Sequence, residues 1–194
     1  MDIVVATNNK GKLFEIRKIL EGYNVLAQSD VGADIDVDET GTTYEENSLL
    51  KASAVREFTD KIIIADDSGL EVDVLNGEPG LYSARYAGEG TTPDQGMEKL
   101  LANLSGFKPQ EKTARFICCI TALMPDGTAH SFRGECEGLI IDEKRGENGF
   151  GFDPVFLIEQ HGKTFAELPD VEKNKISHRF KALCKLKEFL DTVK

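Results

Sequence analysis

Short apolar runs alternate with amphipathic segments along the first half of the chain, and this pattern predicts alternating strands and helices. Residues Ile3 to Ala6 and Ile62 to Ala65 are continuous apolar runs, which are typical of strands buried on both faces. The second run is expected to end where Asp66-Asp67-Ser68-Gly69 begins. The other predicted elements are a helix over Leu13 to Glu21, a strand over Tyr23 to Ala27, a helix opened by the capping-box spacing Thr43-Tyr44-Glu45-Glu46 and reaching about Phe58, and a helix from Thr92-Pro93-Asp94 to about Asn103.

Longer β-like runs mark the second half. Ala114 to Met124 and Ala129 to Ile141 flank Pro125-Asp126-Gly127-Thr128, which predicts a hairpin. The apolar run Val155 to Ile158 follows a glycine-rich loop, and the periodicity of His178 to Val193 predicts an amphipathic terminal helix. We therefore expect an α/β fold, mixed, around a long twisted central sheet, with residues 1–194 forming one domain.

Composition narrows the classes of partner. The 194 residues carry a formal net charge of -11, which argues against a broad surface for nucleic acid or an anionic membrane. No apolar run approaches the roughly 18 residues of a membrane span, and Met1 to Ala6 lacks the features of a signal peptide. We expect a cytoplasmic protein. The four cysteines form no C-x-x-C pair and are expected to be reduced, with Cys118 and Cys119 on opposite faces of a strand.

The turn Thr7-Asn8-Asn9-Lys10-Gly11-Lys12 between a predicted strand and a predicted helix is a candidate phosphate site. A helix N-terminus offers N–H donors and the positive end of its dipole. Thr7 and Asn9 would add neutral donors, Gly11 would allow close approach, and Lys10 or Lys12 would supply charge. The alternative is a solvated strand-to-helix turn.

Two adjacent carboxylates, Asp66 and Asp67, follow the second buried-type run. Ligands of open α/β sheets collect beyond the carboxyl ends of strands, and oxygen ligands favour a hard ion such as Mg²⁺. Glu39, Glu45 and Glu46 are candidate partner ligands. The alternatives are an Asx-capped turn for the aspartates and a solvated acidic helix start for the glutamates.

Two further segments suit a nucleobase. In Gly149-Phe150-Gly151-Phe152-Asp153-Pro154, two aromatic rings could form a stacking ledge, and Asp153 could accept from a purine N–H; the alternative is that the rings plug the core. Near the last helix, Lys173, His178 and Arg179 could donate to a keto oxygen or a phosphate, although a histidine at a helix start is often structural. A P-loop is excluded, since Gly162-Lys163-Thr164 would require glycine where Leu157 stands.

Six motifs in this order resemble the inosine triphosphate pyrophosphatase family over essentially the full length. They are Thr7-Asn8-Asn9-x-x-Lys12; Glu39-Thr40-Gly41 with Glu46-Asn47; Ala65-Asp66-Asp67-Ser68-Gly69; Pro79-Gly80-x-Tyr82-Ser83-Ala84-Arg85; Gly149-Phe150-Gly151-Phe152-Asp153-Pro154; and Ile176-Ser177-His178-Arg179. The resemblance implies two lobes with a nucleotide cleft between them, a homodimer, and hydrolysis of purine nucleoside triphosphates with a wrong base (ITP, dITP, XTP) to monophosphate and pyrophosphate.

The resemblance also implies a role for each matching position. Asp67 would be the catalytic carboxylate and would share Mg²⁺ with Glu39, while Ser68 would contact substrate. Phe152 stands where many members have tyrosine. The triphosphate would lie on Thr7, Asn8, Asn9, Lys10, Gly11 and Lys12, and the base on Phe150, Gly151, Phe152, Asp153, Lys173, His178 and Arg179.

Charge suggests the mechanism. Mg²⁺ and Lys12 would offset the phosphate charge, and Asp67 would deprotonate a water that attacks the α-phosphorus. Donors from Arg179 or His178 suit a 6-keto oxygen and would mismatch adenine by roughly 1–3 kcal/mol. The competing hypotheses are a phosphotransferase or general nucleotide phosphatase, a nucleotide sensor without turnover, and a purely structural α/β protein.

Overall fold

The computed structural model describes residues 1–193, apart from the side chain of residue 170, and the chain divides into two compact units. Unit 1 comprises residues 1–67, 118–134 and the described residues from 178 onward, and unit 2 comprises residues 68–117 and 135–177. The helices are α1 (Lys10–Ile19), α2 (Tyr44–Val55), α3 (Pro93–Leu104), α4 (Asp170–Ile176) and α5 (His178–Thr192). The strands are β1 (Asp2–Val5), β2 (Asn24–Ala27), β3 (Ile62–Val72), β4 (Pro79–Gly80), β5 (Thr113–Leu123), β6 (Ala129–Ile140), β7 (Phe156–Ile158) and β8 (Lys163–Thr164).

The strands are hydrogen-bonded in the order β2-β1-β3-β5-β6-β7-β8, with β4 paired to β3. β1 runs parallel to both β2 and β3, with Val5 opposite Ile64, whereas β7 is antiparallel to β6 and β8. The predicted mixed α/β fold around a central sheet is confirmed.

In unit 1, alternate residues of β3 belong to different apolar clusters. Ile62 and Ile64 lie in a cluster with residues of α1 and α5, whereas Ile63 and Ala65 lie in a cluster with residues of α2. Because successive strand side chains point to opposite faces of a sheet, α1 and α5 cover one face and α2 covers the other. The continuous apolar run is therefore the consequence of burial on both faces.

The core of unit 2 is built around an aromatic cluster. The ring centroid of Phe116 lies 4.6 Å from that of Phe156 and 5.7 Å from that of Phe165. All three rings are buried together with Leu100 of α3 and with Phe152. This core supports the loop that leads into β7.

The prediction that β3 ends at Ala65 is wrong, because the strand continues through Asp66 and Asp67 to Val72. Leu70 and Val72 are fully buried, so the strand contributes side chains to the core beyond the charged pair as well. The carboxylates are tolerated because each has cationic partners, as described below. The short helix α4 has no counterpart among the predictions, and the other predicted helices and strands are present within a few residues of the expected bounds.

The cysteines are free thiols, as predicted. Cys118 packs in the cluster that contains α1 and α5, whereas the Sγ of Cys119 lies 3.9 Å from the Oγ of Ser48 on α2, so the two thiols face opposite sides of β5. Within the described part of the chain, no helix is both long and apolar enough to cross a membrane.

Candidate active site

The turn after β1 is held by its own side chains. The Oγ1 of Thr7 accepts from the N–H of Asn9 at 3.1 Å. The Oδ1 of Asn9 then caps α1, accepting from the N–H groups of Gly11 and Lys12 at 2.9 and 3.0 Å. These two N–H groups, expected to face phosphate, are therefore engaged by the cap, and the positive charge of the turn lies on its lysines.

Asn8 ties this turn to the following loop. Its Nδ2 donates to the carbonyl oxygen of Ile35 at 3.1 Å, and its Oδ1 accepts from the Nε2 of the buried Gln28 at 2.7 Å. The amide thus joins the end of β1 to the segment that leads to Glu39.

Asp66 is surrounded by cations on the face of β3 that α1 and α5 cover. Its Oδ2 lies 3.0 Å from the Nζ of Lys12 and accepts from the Nε and Nη2 of Arg179 at 3.4 Å each. The Nη1 of Arg179 donates to Glu15 at 2.6 Å. Burial alone would raise the pKa of Asp66, but Lys12 and Arg179 outweigh it and hold that pKa well below its ordinary value. Of the two candidate lysines in the turn, Lys12 therefore forms an ion pair with Asp66, whereas Lys10 is exposed.

Asp67 points to the other face and meets α2. Its Oδ2 accepts from the Nδ2 of Asn47 at 3.1 Å, and its Oδ1 lies 3.3 Å from the Nζ of Lys51. Burial raises the pKa of Asp67, and the nearby Glu39 carboxylate acts in the same direction, while Lys51 opposes both. A carboxyl group whose proton affinity is increased is suited to accept a proton from water.

Glu39 and Asp67 converge on one cation. The Nζ of Lys51 lies 2.6 Å from Glu39 Oε1 and 3.3 Å from Asp67 Oδ1. Burial would lower the pKa of Lys51, but Asp67 and the neighbouring carboxylates raise it overall. Two carboxylate oxygens within reach of a single positive centre fit Mg²⁺, which proteins commonly hold by one or two carboxylates together with substrate phosphates and water. Among the side chains that the structure describes, no group of three or more His, Cys, Asp or Glu residues is assembled to hold a metal by itself.

The other acidic candidates have structural contacts. Glu46 accepts through Oε2 from the N–H and hydroxyl of Thr42 at 2.6 and 2.8 Å, and this capping lowers its pKa. Glu45 lies 3.6 Å from Arg133. Neither contact involves Asp67. Thr43 caps α2 as the spacing predicts, but the carboxylate of Glu46 accepts from Thr42 and not from the N–H of Thr43, so the reciprocal bond of a capping box is not the one formed.

The expected base-binding loop lies in unit 2, and hydrogen bonds to Asp153 hold its conformation. The Oδ2 of buried Asp153 accepts from the Nζ of Lys173 at 2.6 Å and from the N–H of Phe150 at 2.8 Å. Gly149 has a positive φ, and a Cβ there would lie only 2.1 Å from that oxygen, so glycine is required. Phe150 is 57% exposed, and Lys173 lies 5.3 Å from its ring centroid. Phe152, by contrast, is only 5% exposed and packs in the core.

His178 and Arg179 open α5 in unit 1, and both are buried. Gly134 of β6 lets this helix approach, because a Cβ there would lie 2.1 Å from the carbonyl oxygen of His178. Ser68 follows Asp67 within β3 and is half-buried, and it stays a predicted substrate contact, as does Gly151.

Two residues of this site, Asn47 and Lys51, were not among the predicted site residues. Both lie on α2 four residues apart, so they share one face of the helix and both reach Asp67. Asn47 belongs to the motif Glu39-Thr40-Gly41 with Glu46-Asn47. The four-residue spacing between this amide and Lys51 was the other local signal.

Comparisons with known proteins agree with this architecture. The model of the Ham1 family matches residues 3–189. The chain is 48% identical over 190 residues to a dITP/XTP pyrophosphatase of Staphylococcus epidermidis, covering 98% of this chain and 96% of that protein. It is 46% identical over 192 residues to a dITP/XTP pyrophosphatase of Bacillus subtilis, covering 98% and 97%. The solved structure of the Staphylococcus aureus Ham1 protein superposes with a TM-score of 0.92 at 45% identity and full coverage of both chains.

The fold thus belongs to a known class of α/β proteins, and the resemblance inferred from the motifs is confirmed. The chain is a member of the Ham1 family.

Proposed function

We propose that this chain is a Mg²⁺-dependent pyrophosphohydrolase that converts purine nucleoside triphosphates with a wrong base (dITP, ITP and XTP) to the monophosphate and pyrophosphate. The observation that carries the proposal is the adjacent pair Asp66 and Asp67. Asp66 pairs with Lys12 and Arg179, and Asp67 lies with Glu39 around the ammonium group of Lys51. The names of the relatives support the substrate class.

The position of the pair along the sheet suits a polyphosphate. β1 ends at Val5, opposite Ile64, whereas β3 continues past that point through Asp66 and Asp67. The register of β1 with β3 thus ends before the acidic pair, and that of β4 with β3 begins after it, at Leu70 and Glu71. Ligands of such sheets bind at this carboxyl end, and the N-terminus of α1 with Lys12 follows directly.

Asp67 is the proposed proton acceptor. Its Oδ2 is held by Asn47, which leaves Oδ1 on the side of Lys51 and Glu39. A water bound at Oδ1 would be oriented toward the α-phosphorus and would lose its proton to the carboxylate as the bond to the pyrophosphate breaks. Lys12 and Lys51 would bind the negative phosphate oxygens. When bound by Glu39 and Asp67, Mg²⁺ would supply further neutralisation of the phosphate charge.

Base selection is proposed for the remaining site residues. The exposed ring of Phe150 offers a stacking surface, and Asp153, Lys173, His178 and Arg179 supply polar groups. Thr7, Asn8, Asn9, Lys10, Gly11 and Ser68 are proposed to border the triphosphate, and Gly151 and Phe152 to shape the base loop. The resemblance supports a homodimer, and the net charge and composition support a cytoplasmic protein without a nucleic-acid partner.

The identity of the products tests the function. Purified protein is given dITP, XTP, ITP, GTP and ATP with Mg²⁺, and the products are separated by ion-exchange chromatography. We expect dIMP, XMP and IMP with one pyrophosphate each, and much slower turnover of ATP. Release of orthophosphate would indicate a general phosphatase, and transfer to an acceptor would indicate a phosphotransferase. Binding of dITP without any turnover would indicate a sensor, and each of these results would contradict the proposal.

A further inference from the structure

Asn47 is a buried amide with a partner at each end, and both partners belong to the candidate active site. The residue is 1% exposed. Its Nδ2 donates to Asp67 Oδ2 at 3.1 Å, and its Oδ1 accepts from the N–H of Gly41 at 2.8 Å. Gly41 lies two residues after Glu39, so one side chain connects the segments that carry the two carboxylates.

The first contact gives the two oxygens of Asp67 different surroundings. An amide N–H group at Oδ2 fixes the plane of the carboxylate, and Oδ1 is then the oxygen that faces Lys51 at 3.3 Å. Without the amide, the carboxylate could rotate, and either oxygen could turn away from Glu39. A polar group buried to this degree has no water to replace the missing partner.

The second contact leaves no spare room. A Cβ on Gly41 would lie 2.6 Å from Asn47 Oδ1 and 2.7 Å from the Cβ of Glu46. The loop of Gly41 therefore packs directly against the amide, and the position of that loop determines where Glu39 can lie. The cap of α2, in which Thr43 accepts from the N–H of Glu46 at 3.1 Å, fixes the turn from which Asn47 projects.

We propose that Asn47 is the positioning residue of the reaction, a single amide that holds the Asp67 carboxylate and the Glu39 segment so that their oxygens converge on one cation. This inference rests on the proposed function. Asn47 contacts neither substrate nor cation in this account; it acts through Asp67 and through the backbone of Gly41.

The matched control lies next to it. Ser48 is also on α2, is fully buried, and hydrogen-bonds through Oγ to Thr121 Oγ1 at 2.6 Å and to the carbonyl oxygen of Glu45 at 3.0 Å. Asn47→Ala and Ser48→Ala both remove a buried hydrogen-bonding side chain from the same turn, but only Asn47 contacts Asp67. A purely structural role predicts that the two variants lose thermal stability alike and keep similar turnover.

Two measurements test the proposal. The first is Mn²⁺ binding to the nucleotide-free protein, followed by electron paramagnetic resonance of the free ion. The second is dITP hydrolysis over a range of Mg²⁺ concentrations. For Asn47→Ala we expect at least about fivefold weaker Mn²⁺ binding and about 10- to 100-fold lower kcat, with the KM for dITP at saturating Mg²⁺ changed less than threefold. Ser48→Ala should stay within about twofold of the wild type in both measurements.

A second variant covers the case in which Asn47→Ala does not fold. Gly41→Ala keeps the amide but places a methyl group against its oxygen, and it should lower the same two quantities in the same direction, by about threefold or more. Retention of wild-type Mn²⁺ binding and kcat by Asn47→Ala, or by Gly41→Ala if only that variant folds, would overturn the proposal. So would a wild-type protein that binds no Mn²⁺. If the wild type binds Mn²⁺ but releases no pyrophosphate, the proposed function fails, and the Mn²⁺ titrations alone decide the role of Asn47.

Discussion

The two faces of β3 treat neighbouring carboxylates in opposite ways. On the face covered by α1 and α5, Asp66 meets two cations, Lys12 and Arg179, and its pKa is well below the ordinary value despite its burial. On the face covered by α2, Asp67 meets one lysine, one amide and a second carboxylate, and its pKa is raised. The two residues are similarly buried, at 3% and 6% exposed, so their partners make the difference.

This contrast distinguishes a carboxylate that holds cations in place from a carboxylate that can take part in the reaction. A carboxylate with an excess of positive partners is a fixed negative charge that organises cations, and it has little tendency to take a proton. A buried carboxylate with fewer positive partners can accept a proton or a metal ion. The same residue type therefore serves as an anchor at position 66 and as the proposed chemical group at position 67.

The largest expected effect comes from Asp67→Asn, which removes the proposed proton acceptor but keeps the shape of the side chain. The kcat for dITP should fall by about 10²- to 10⁴-fold. The unfolding midpoint in urea should change little, because the neutral amide avoids the cost of burying a charge and the repulsion with Glu39, which together offset the lost pairing with Lys51. Pyrophosphate release and urea unfolding are measured on the same preparation. A variant with more than a tenth of the wild-type turnover would contradict the role of Asp67.

Asp66→Asn should act mainly on stability. It leaves the buried Arg179 paired with Glu15 through Nη1 but without Asp66, and removal of one member of a buried ion pair costs about 3–5 kcal/mol. Urea unfolding without nucleotide measures the loss. The control is Asp2→Asn, which breaks a solvent-exposed pair with Lys61 and should change the stability far less. Equal losses in the two variants would show that Asp66 is not an anchor.

Arg179→Lys gives the smallest effect and tests the geometry of the anchor. Arginine reaches Asp66 through Nε and Nη2 and Glu15 through Nη1, whereas one ammonium group cannot reproduce this planar arrangement. We expect a loss of about 1–2 kcal/mol in the free energy of unfolding. The control is Arg133→Lys, at the solvent-exposed pair with Glu45, for which the free energy of unfolding should fall by less than about 0.5 kcal/mol. Indistinguishable losses would mean that charge alone, without geometry, holds Asp66.

Local pattern predicted most of the elements of this fold. The apolar runs identified β1 and the first four residues of β3, and the periodicity of His178 to Val193 identified α5, which ends at Thr192. Pattern failed at Asp66 and Asp67, because two charges in succession indicate a turn unless their partners are known. Those partners lie far away in sequence: Arg179 is 113 residues from Asp66.

The site itself was predictable in part. Motif resemblance identified Lys12, Glu39 and Asp67 as site residues, and the structure places Glu39 with Asp67 and Lys12 with Asp66. It did not identify Asn47 and Lys51, because their contribution depends on which face of α2 turns toward β3. That orientation is set by tertiary packing, for which a single helix segment carries only a weak signal.

Alternation along β3 has a consequence for how this protein can vary. Odd-numbered residues from Ile63 to Asp67 face α2, and even-numbered residues from Ile62 to Asp66 face α1 and α5. Deleting or inserting a single residue within Ile62–Ala65 would turn the residues that follow it, including both carboxylates, to the opposite face of the sheet. Substitution of one aliphatic residue by another is therefore tolerated in this strand. An insertion or deletion ahead of the acidic pair is opposed by core packing and by the chemistry of the site together.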